Sequence, residues 1–197
     1  MDRIREEAEQ IRDFLLKHPL RREGRRLVVA IDGRCASGKT SVARILAGDE
    51  GFKVFHMDDY FPRPEQRTPE RLAAPGGNVD HERAAEEILK PLKEGAGLIR
   101  HRAYDCRLQA VKEPVTDEAG DYNILEGSYS CHPALWDHYD VRIFLTVPEK
   151  VQAKRILERE GERAEAFFAK WIPMEEAYFT HFKIGERCDL VIDTGRE

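Results

Sequence analysis

The chain has 197 residues, 35% of them charged, with a formal net charge of -5, and is long enough for one domain with a substantial core. The near balance of signs leaves no basic footprint for nucleic acid, and no apolar stretch approaches a membrane span, so neither partner is expected. Cys35, Cys106, Cys131 and Cys188 form no C-x-x-C pair and the first seven residues lack a signal peptide's apolar core; the expectation is a reduced, cytoplasmic protein.

Ile4, Ala8, Ile11, Phe14 and Leu15 recur at helical spacing and predict an amphipathic helix over about residues 2–17, ended by Pro19. Leu27-Val28-Val29-Ala30-Ile31 is an apolar run suited to a buried parallel strand. It feeds Gly33-Arg34-Cys35-Ala36-Ser37-Gly38-Lys39-Thr40, which matches the phosphate-binding pattern G-x-x-x-x-G-K-[ST] at every fixed position. In such a loop backbone N–H groups wrap phosphates, the lysine reaches the β/γ-phosphates and the hydroxyl ligates magnesium. These eight residues and Ser41 are therefore the candidate nucleotide contacts, with Thr40 on the metal. Lys39 is expected to face solvent before nucleotide binds. Ser41 to Ala47 reads as a helix whose N-terminus points at the phosphates.

A second strand at Lys53 to Met57 is closed by Asp58-Asp59, and a third at Tyr122 to Leu125 by Glu126-Gly127. Val141 to Val147 and Leu190 to Ile192 supply a fourth and a fifth, with helical patterns at about 82–94, 148–160 and 164–183. Strands alternating with helices predict a parallel sheet covered on both faces, with ligands at the carboxyl ends of its strands. The glycine loop, Asp58, Asp59 and Glu126 would all project from that edge. Two segments break the rhythm. Residues 61–80 hold Pro62, Pro64, Pro69, Pro75, Gly76 and Gly77, while Leu98 to Val115 reads as extended structure or a hairpin. Together they suit a substrate-facing flap.

The acidic pair suits phosphoryl transfer, where a carboxylate orients the attacking hydroxyl; holding magnesium through water or capping the turn are the alternatives. Glu126 stands where an acid would support magnesium. Arg155, Arg159 and Arg163 recur every four residues, so one helix face could carry a guanidinium clamp. A solvated face paired with Glu158, Glu160 and Glu162 is the competing reading, and Gly161 is placed to break the helix between the last two arginines. Asp80 is either an N-cap or a grip on a substrate hydroxyl. Tyr104-Asp105 either lines a pocket or stabilises a hairpin. The aromatics Phe167, Phe168, Trp171, Tyr178, Phe179 and Phe182 are read as core packing, and His56 as a plain strand residue.

Taken in order, the loop, Met57-Asp58-Asp59-Tyr60-Phe61, Asn78-Val79-Asp80-His81, Tyr104-Asp105 and Leu125-Glu126-Gly127 resemble the uridine kinase and phosphoribulokinase group of P-loop kinases. The likeness runs over about residues 26–193, and the 68–77 loop is nearest a bacterial uridine kinase-like subgroup. It implies an α/β fold, the P-loop NTPase three-layer sandwich: one domain with a parallel sheet of about five strands in the order 2-3-1-4-5. A helix and connection over 1–24, insertions at 61–80 and 98–115 and a helical lid at 155–170 would complete it. It also implies use of ATP and Mg2+ to phosphorylate a small-molecule hydroxyl, foremost a nucleoside 5′-hydroxyl. Asp58 would be the base and Lys39 catalytic; Tyr60, Asp80, Tyr104 and Asp105 would bind substrate. Arg155 would contact ATP, while Arg159 and Arg163 would close over the γ-phosphate. Asp59 replaces the family's serine, Cys106-Arg107-Leu108 follows Tyr104-Asp105 without the family's histidine, and the lid lacks its denser arginines. Kinases of pantothenate or a sugar phosphate, and a regulatory ATPase, remain alternatives, as does assembly into a homo-oligomer. No Asn-Lys-x-Asp guanine motif supports a GTPase.

Overall fold

The computed structural model describes residues 2–195. Its central sheet comprises β1 (Leu27–Gly33), β2 (Phe52–His56), β3 (Tyr122–Glu126), β4 (Val141–Thr146) and β5 (Leu190–Asp193), all parallel, in the order β2-β3-β1-β4-β5. The five-strand sheet and its order agree with expectation. β1 is buried along its whole length, as an unbroken apolar run at the centre of a doubly covered sheet requires.

Side-chain alternation along β1 separates two cores. Leu27, Val29 and Ile31 face Ala8, Ile11 and Leu15 of α1 (Asp2–Leu16) and Val42 and Leu46 of α2 (Lys39–Leu46). Val28 and Ala30 face the other core, with Ile88 and Leu89 from the helical run 81–93 and Tyr178 and Phe179 from a later helix. The register sets Ile31 beside Glu126 and Glu126 beside His56 at the carboxyl edge. Sequence periodicity does not reveal such neighbours.

Two helical runs contain π turns, Ala85–Leu89 and Phe167–Trp171. Each ends two residues before a proline, Pro91 and Pro173. A residue that cannot donate to the helical ladder forces the preceding winding to adjust, and the wider turn absorbs the defect. The proposed continuous arginine face is not formed. The helix α3 (Glu149–Glu160) stops where Gly161 takes φ +56°, and Arg163 lies in a separate 3-10 turn.

The 61–80 segment is ordered by short pieces, a 3-10 turn at Pro64–Gln66 and a helix at Pro69–Ala73 capped by the Thr68 side chain. The second insertion reaches further than expected. Leu98–His101 pairs antiparallel with Val115–Glu118, and within that span Tyr104–Asp105 pairs with Ala110–Val111.

Candidate active site

The glycine loop leaves β1 through Gly33 at φ +143°, where an added Cβ would lie 2.0 Å from the Leu145 carbonyl oxygen; no other residue fits without moving β4. Ala36 and Gly38 also take positive φ, and α2 begins at Lys39 with no side chain capping its first turn. The open amides of such an uncapped first turn are the donors that anion binding at a helix N-terminus uses. Lys39 is not solvent-facing. It is buried, and its Nζ donates to the Gly33 carbonyl at 2.6 Å and the Arg34 carbonyl at 3.0 Å. The loop's own carbonyls hold the ammonium beside the arch.

The outer side of the loop is pinned from α3 and from α4 (Ile172–Phe182). Gln152 donates to the Cys35 carbonyl at 3.0 Å, and Glu175 accepts from the Cys35 N–H at 2.8 Å. Arg34 makes two bonds to Glu176, at 2.6 and 2.9 Å. Arg155 spends its guanidinium on the Ala36 carbonyl, the Thr194 hydroxyl and the Thr194 carbonyl, so it braces the loop backbone. Burial pushes the Cys35 thiol up, leaving it a weak nucleophile.

Asp32, which the sequence reading passed over, ties the arch to the neighbouring loop. It is fully buried and accepts from the amides of Gly33 at 2.7 Å, Tyr129 at 3.2 Å and Cys131 at 2.9 Å, and from the Tyr178 hydroxyl at 2.9 Å. Burial pushes its carboxyl up to about 6 against those donors, the Cys131 amide foremost, and the nearby Lys39 charge. Tyr129 is held at φ +71° directly after this turn, a strained conformation typical of functional loops.

At the carboxyl edge the Thr40 hydroxyl donates to Glu126 Oε2 at 3.3 Å, and the other oxygen of Glu126 lies 2.7 Å from His56 Nδ1. That bond holds the imidazole above its usual range, favouring the charged form. His56 is therefore the partner of Glu126, a second site residue missed in the sequence. Among the described residues no group of three or more His, Cys, Asp or Glu side chains converges as a metal cage. Thr40 and Glu126 nevertheless fit magnesium, which takes one or two protein oxygens and completes its shell with phosphate and water.

These groups open onto a cavity of about 560 Å³, also lined by Asp58, Tyr60, Phe61, Asn78, Arg159, Phe167, Trp171 and Glu175. The surrounding protein and the charge of Glu126 push the Asp58 carboxyl above the usual range, with Lys39 opposing. Asp59 does not line the cavity; its carbonyl accepts from Arg83 at 2.9 Å. Of the acidic pair, geometry favours Asp58.

Several candidates stand elsewhere. Asp80 is fully buried and saturated: it caps the turn through the Arg83 N–H and pairs with the Arg83 guanidinium at 3.1 Å and Gln66 at 3.0 Å. It does not line the cavity, and the cap is the reading its surroundings support. The Tyr104 hydroxyl accepts from Arg67 at 3.1 Å, a bond between the two insertions, and Asp105 accepts the Arg107 and Leu108 amides within the hairpin. Arg163, with 83% of its side chain exposed, lines a shallow groove that shares Glu160, Phe167 and Trp171 with the cavity. Arg159 alone of the three arginines reaches the cavity. The aromatic run divides: Tyr178 and Phe179 are core, whereas Phe167 and Trp171 form cavity wall.

No family model and no curated protein matches the sequence. Solved structures do. A possible uridine kinase from Bacillus stearothermophilus superposes with a TM-score of 0.68 at 20% identity, covering 98% of each chain. The fold is that of P-loop kinases. A candidate fructose transport system kinase from Silicibacter sp. TM1040 gives the same TM-score and identity, over 94% of this chain and 98% of its own. At that identity the P-loop kinase fold is what the two likenesses carry. Among the described residues, no helix is long and apolar enough to cross a membrane.

Proposed function

We propose that this protein is a small-molecule kinase that uses ATP and magnesium to phosphorylate a hydroxyl group, foremost the 5′-hydroxyl of a nucleoside. The observation that carries the reading is Asp58. It faces the cavity that the phosphate loop and Lys39 line, and its carboxyl is held above the usual range, which improves it as an acceptor for a hydroxyl proton. Lys39 is poised to leave two carbonyls for phosphate oxygens, and Arg159 covers the cavity from α3. Thr40 and Glu126 would hold magnesium, which supplies charge neutralisation at the phosphates when bound. Asp58 orients the hydroxyl and takes its proton, and the ring of side chains from α3 to Trp171 limits access of water. A sugar acceptor is the second reading, favoured by the equal structural likeness to the candidate fructose transport system kinase.

The test is purified protein with ATP, magnesium and a panel of nucleosides, sugars, sugar phosphates and pantothenate, read by mass spectrometry for a phosphate adduct. Asp58→Asn should lower turnover on the order of 100-fold or more, with ATP affinity by calorimetry within a few-fold of wild type. Lys39→Ala should lose both binding and turnover. Phosphate released at the same rate with and without every acceptor, and unchanged in Asp58→Asn, would establish the regulatory ATPase in its place.

A further inference from the structure

Of the four cysteines, Cys35 lies in the phosphate loop and Cys106 in the second insertion. Cys131 and Cys188, 57 residues apart in the chain, meet in the fold with their Sγ atoms 4.0 Å apart. Nothing in the transfer chemistry described above uses them.

Neither thiol reaches this contact on a loose segment. Cys131 lies in the loop that follows β3, and its amide donates to Asp32 Oδ2 at 2.9 Å. Cys188 caps the end of the short helix Ile184–Arg187, its amide donating to the Ile184 carbonyl at 3.2 Å. The next residue is tied to β4 twice. The Asp189 amide donates to the Arg142 carbonyl at 2.9 Å, and Asp189 Oδ2 accepts from the Arg142 amide at 2.7 Å. With both backbones held in place, the sulfur atoms need to close by about 2 Å to reach bonding distance, a gap that side-chain rotation and a small backbone shift can cover.

The two thiols differ in access. Cys131 is fully buried, and burial pushes its thiol well above the ordinary range; on its own such a cysteine is inert toward an oxidant in solution. Cys188 is half-buried at the margin of the same core, so an oxidant arriving from solvent meets it first.

We infer that Cys131 and Cys188 form a redox-sensitive pair, closed to a disulfide by peroxide, and that closure loosens the phosphate loop through Asp32. The Cys188 thiolate attacks hydrogen peroxide and becomes a sulfenic acid; the O–O bond breaks and the other oxygen leaves as water once protonated. Cys131 Sγ then attacks the Cys188 sulfur. The S–O bond breaks, and the hydroxyl departs with the Cys131 proton as a second water. The two thiols have together lost two electrons and two protons, and the peroxide has been reduced to water.

The consequence follows from what Cys131 already holds. Its amide is foremost among the donors that offset burial of the Asp32 carboxyl, and Asp32 in turn accepts the Gly33 amide at 2.7 Å where β1 enters the phosphate loop. Drawing Cys131 toward Cys188 stretches the bond to Asp32, so the oxidised chain holds its anion-binding loop less firmly. On the kinase reading, on which this last step rests, donor binding weakens.

Protein treated with a small excess of hydrogen peroxide, then alkylated and digested, should yield a cross-linked Cys131–Cys188 peptide by mass spectrometry, and dithiothreitol should abolish it. Calorimetry with magnesium and the non-hydrolysable analogue AMP-PNP should show affinity about tenfold lower in the oxidised protein, the size expected for a weakened hydrogen bond to a charged group, with recovery on reduction. Cys188→Ser, which leaves Cys131 without a partner thiol, should keep its affinity through the same treatment.

Full alkylation of both cysteines after peroxide would overturn the pair, a result that needs no variant. A disulfide formed with AMP-PNP affinity unmoved would refute the link to the phosphate loop. An equal loss of affinity in Cys188→Ser would place the effect on Cys35 and refute it as well. Reduced wild-type protein that binds no AMP-PNP would sink the kinase reading, and the link with it, while the peptide map still decides the bond.

Discussion

Asp80 shows how a single residue can satisfy a motif without serving it. Its position in Asn78-Val79-Asp80-His81 matches the resemblance, but its carboxylate is enclosed by Arg83, Gln66 and the Arg83 amide. Arg83 is itself buried and lies with its guanidinium carbon 4.3 Å from the Tyr60 ring centre. Removing one member of a buried ion pair strands the other, a loss of about 3 kcal/mol. Asp80→Ala should therefore lower the melting temperature by several degrees and leave the acceptor KM within about twofold once the protein is folded. A raised KM with an unmoved melting temperature would return Asp80 to the substrate. The contrast with Asp58 was legible only in part: adjacent aspartates after β2 declare an acidic edge, but which of them turns inward depends on the 3-10 turn Met57–Asp59.

At the scale of elements, strand, loop and helix around Gly33 were legible because glycine spacing and an apolar run report local backbone geometry. The braces of that loop were not. Glu175 is 140 residues from Cys35, and Arg155 is 119 from Ala36; no local pattern records such pairs. The break at Gly161 had a visible signal, and the π turns had one too in Pro91 and Pro173, although the aromatic spacing before Pro173 read as core. α3 consequently carries arginines of different kinds. Arg155→Ala should weaken ATP binding several-fold and lower the melting temperature, because it releases the loop and Thr194 together. Arg159→Ala, at a side chain 51% exposed, should spare the melting temperature and lower kcat at least tenfold. Identical profiles for the two variants would refute this division.

For the whole molecule, the parallel sheet was readable from alternating strands and helices, while the packing between its outer elements was not. His132, which drew no attention in the sequence, stacks on His81 with ring centres 4.2 Å apart and on Tyr178 at 6.4 Å, joining three separate segments. The Gly76 backbone packs so closely on it that a Cβ there would lie 2.7 Å from His132 Cδ2. Burial, then the neighbouring His81, holds the His132 imidazole down to about 4. The unfolded chain takes up that proton near the ordinary value of 6.5, so below it the unfolded state binds more protons and stability falls with falling pH. The contribution is intact above about pH 6.5, is lost progressively toward pH 4, and amounts to roughly 3 kcal/mol. Asp32 acts with the opposite sign: its carboxyl, raised from 3.8 to about 6, favours the folded state in acid and loses that advantage as pH rises through 6. The two nearly offset in the wild type, so its melting curve alone does not isolate either. The difference between His132→Phe and wild type does. Their melting temperatures should diverge steadily in the variant's favour from pH 7 to pH 4, whatever the offset at pH 7. Parallel curves over that range would mean that His132 takes up its proton alike in the folded and unfolded chain, and that the stack does not exclude water as its burial implies.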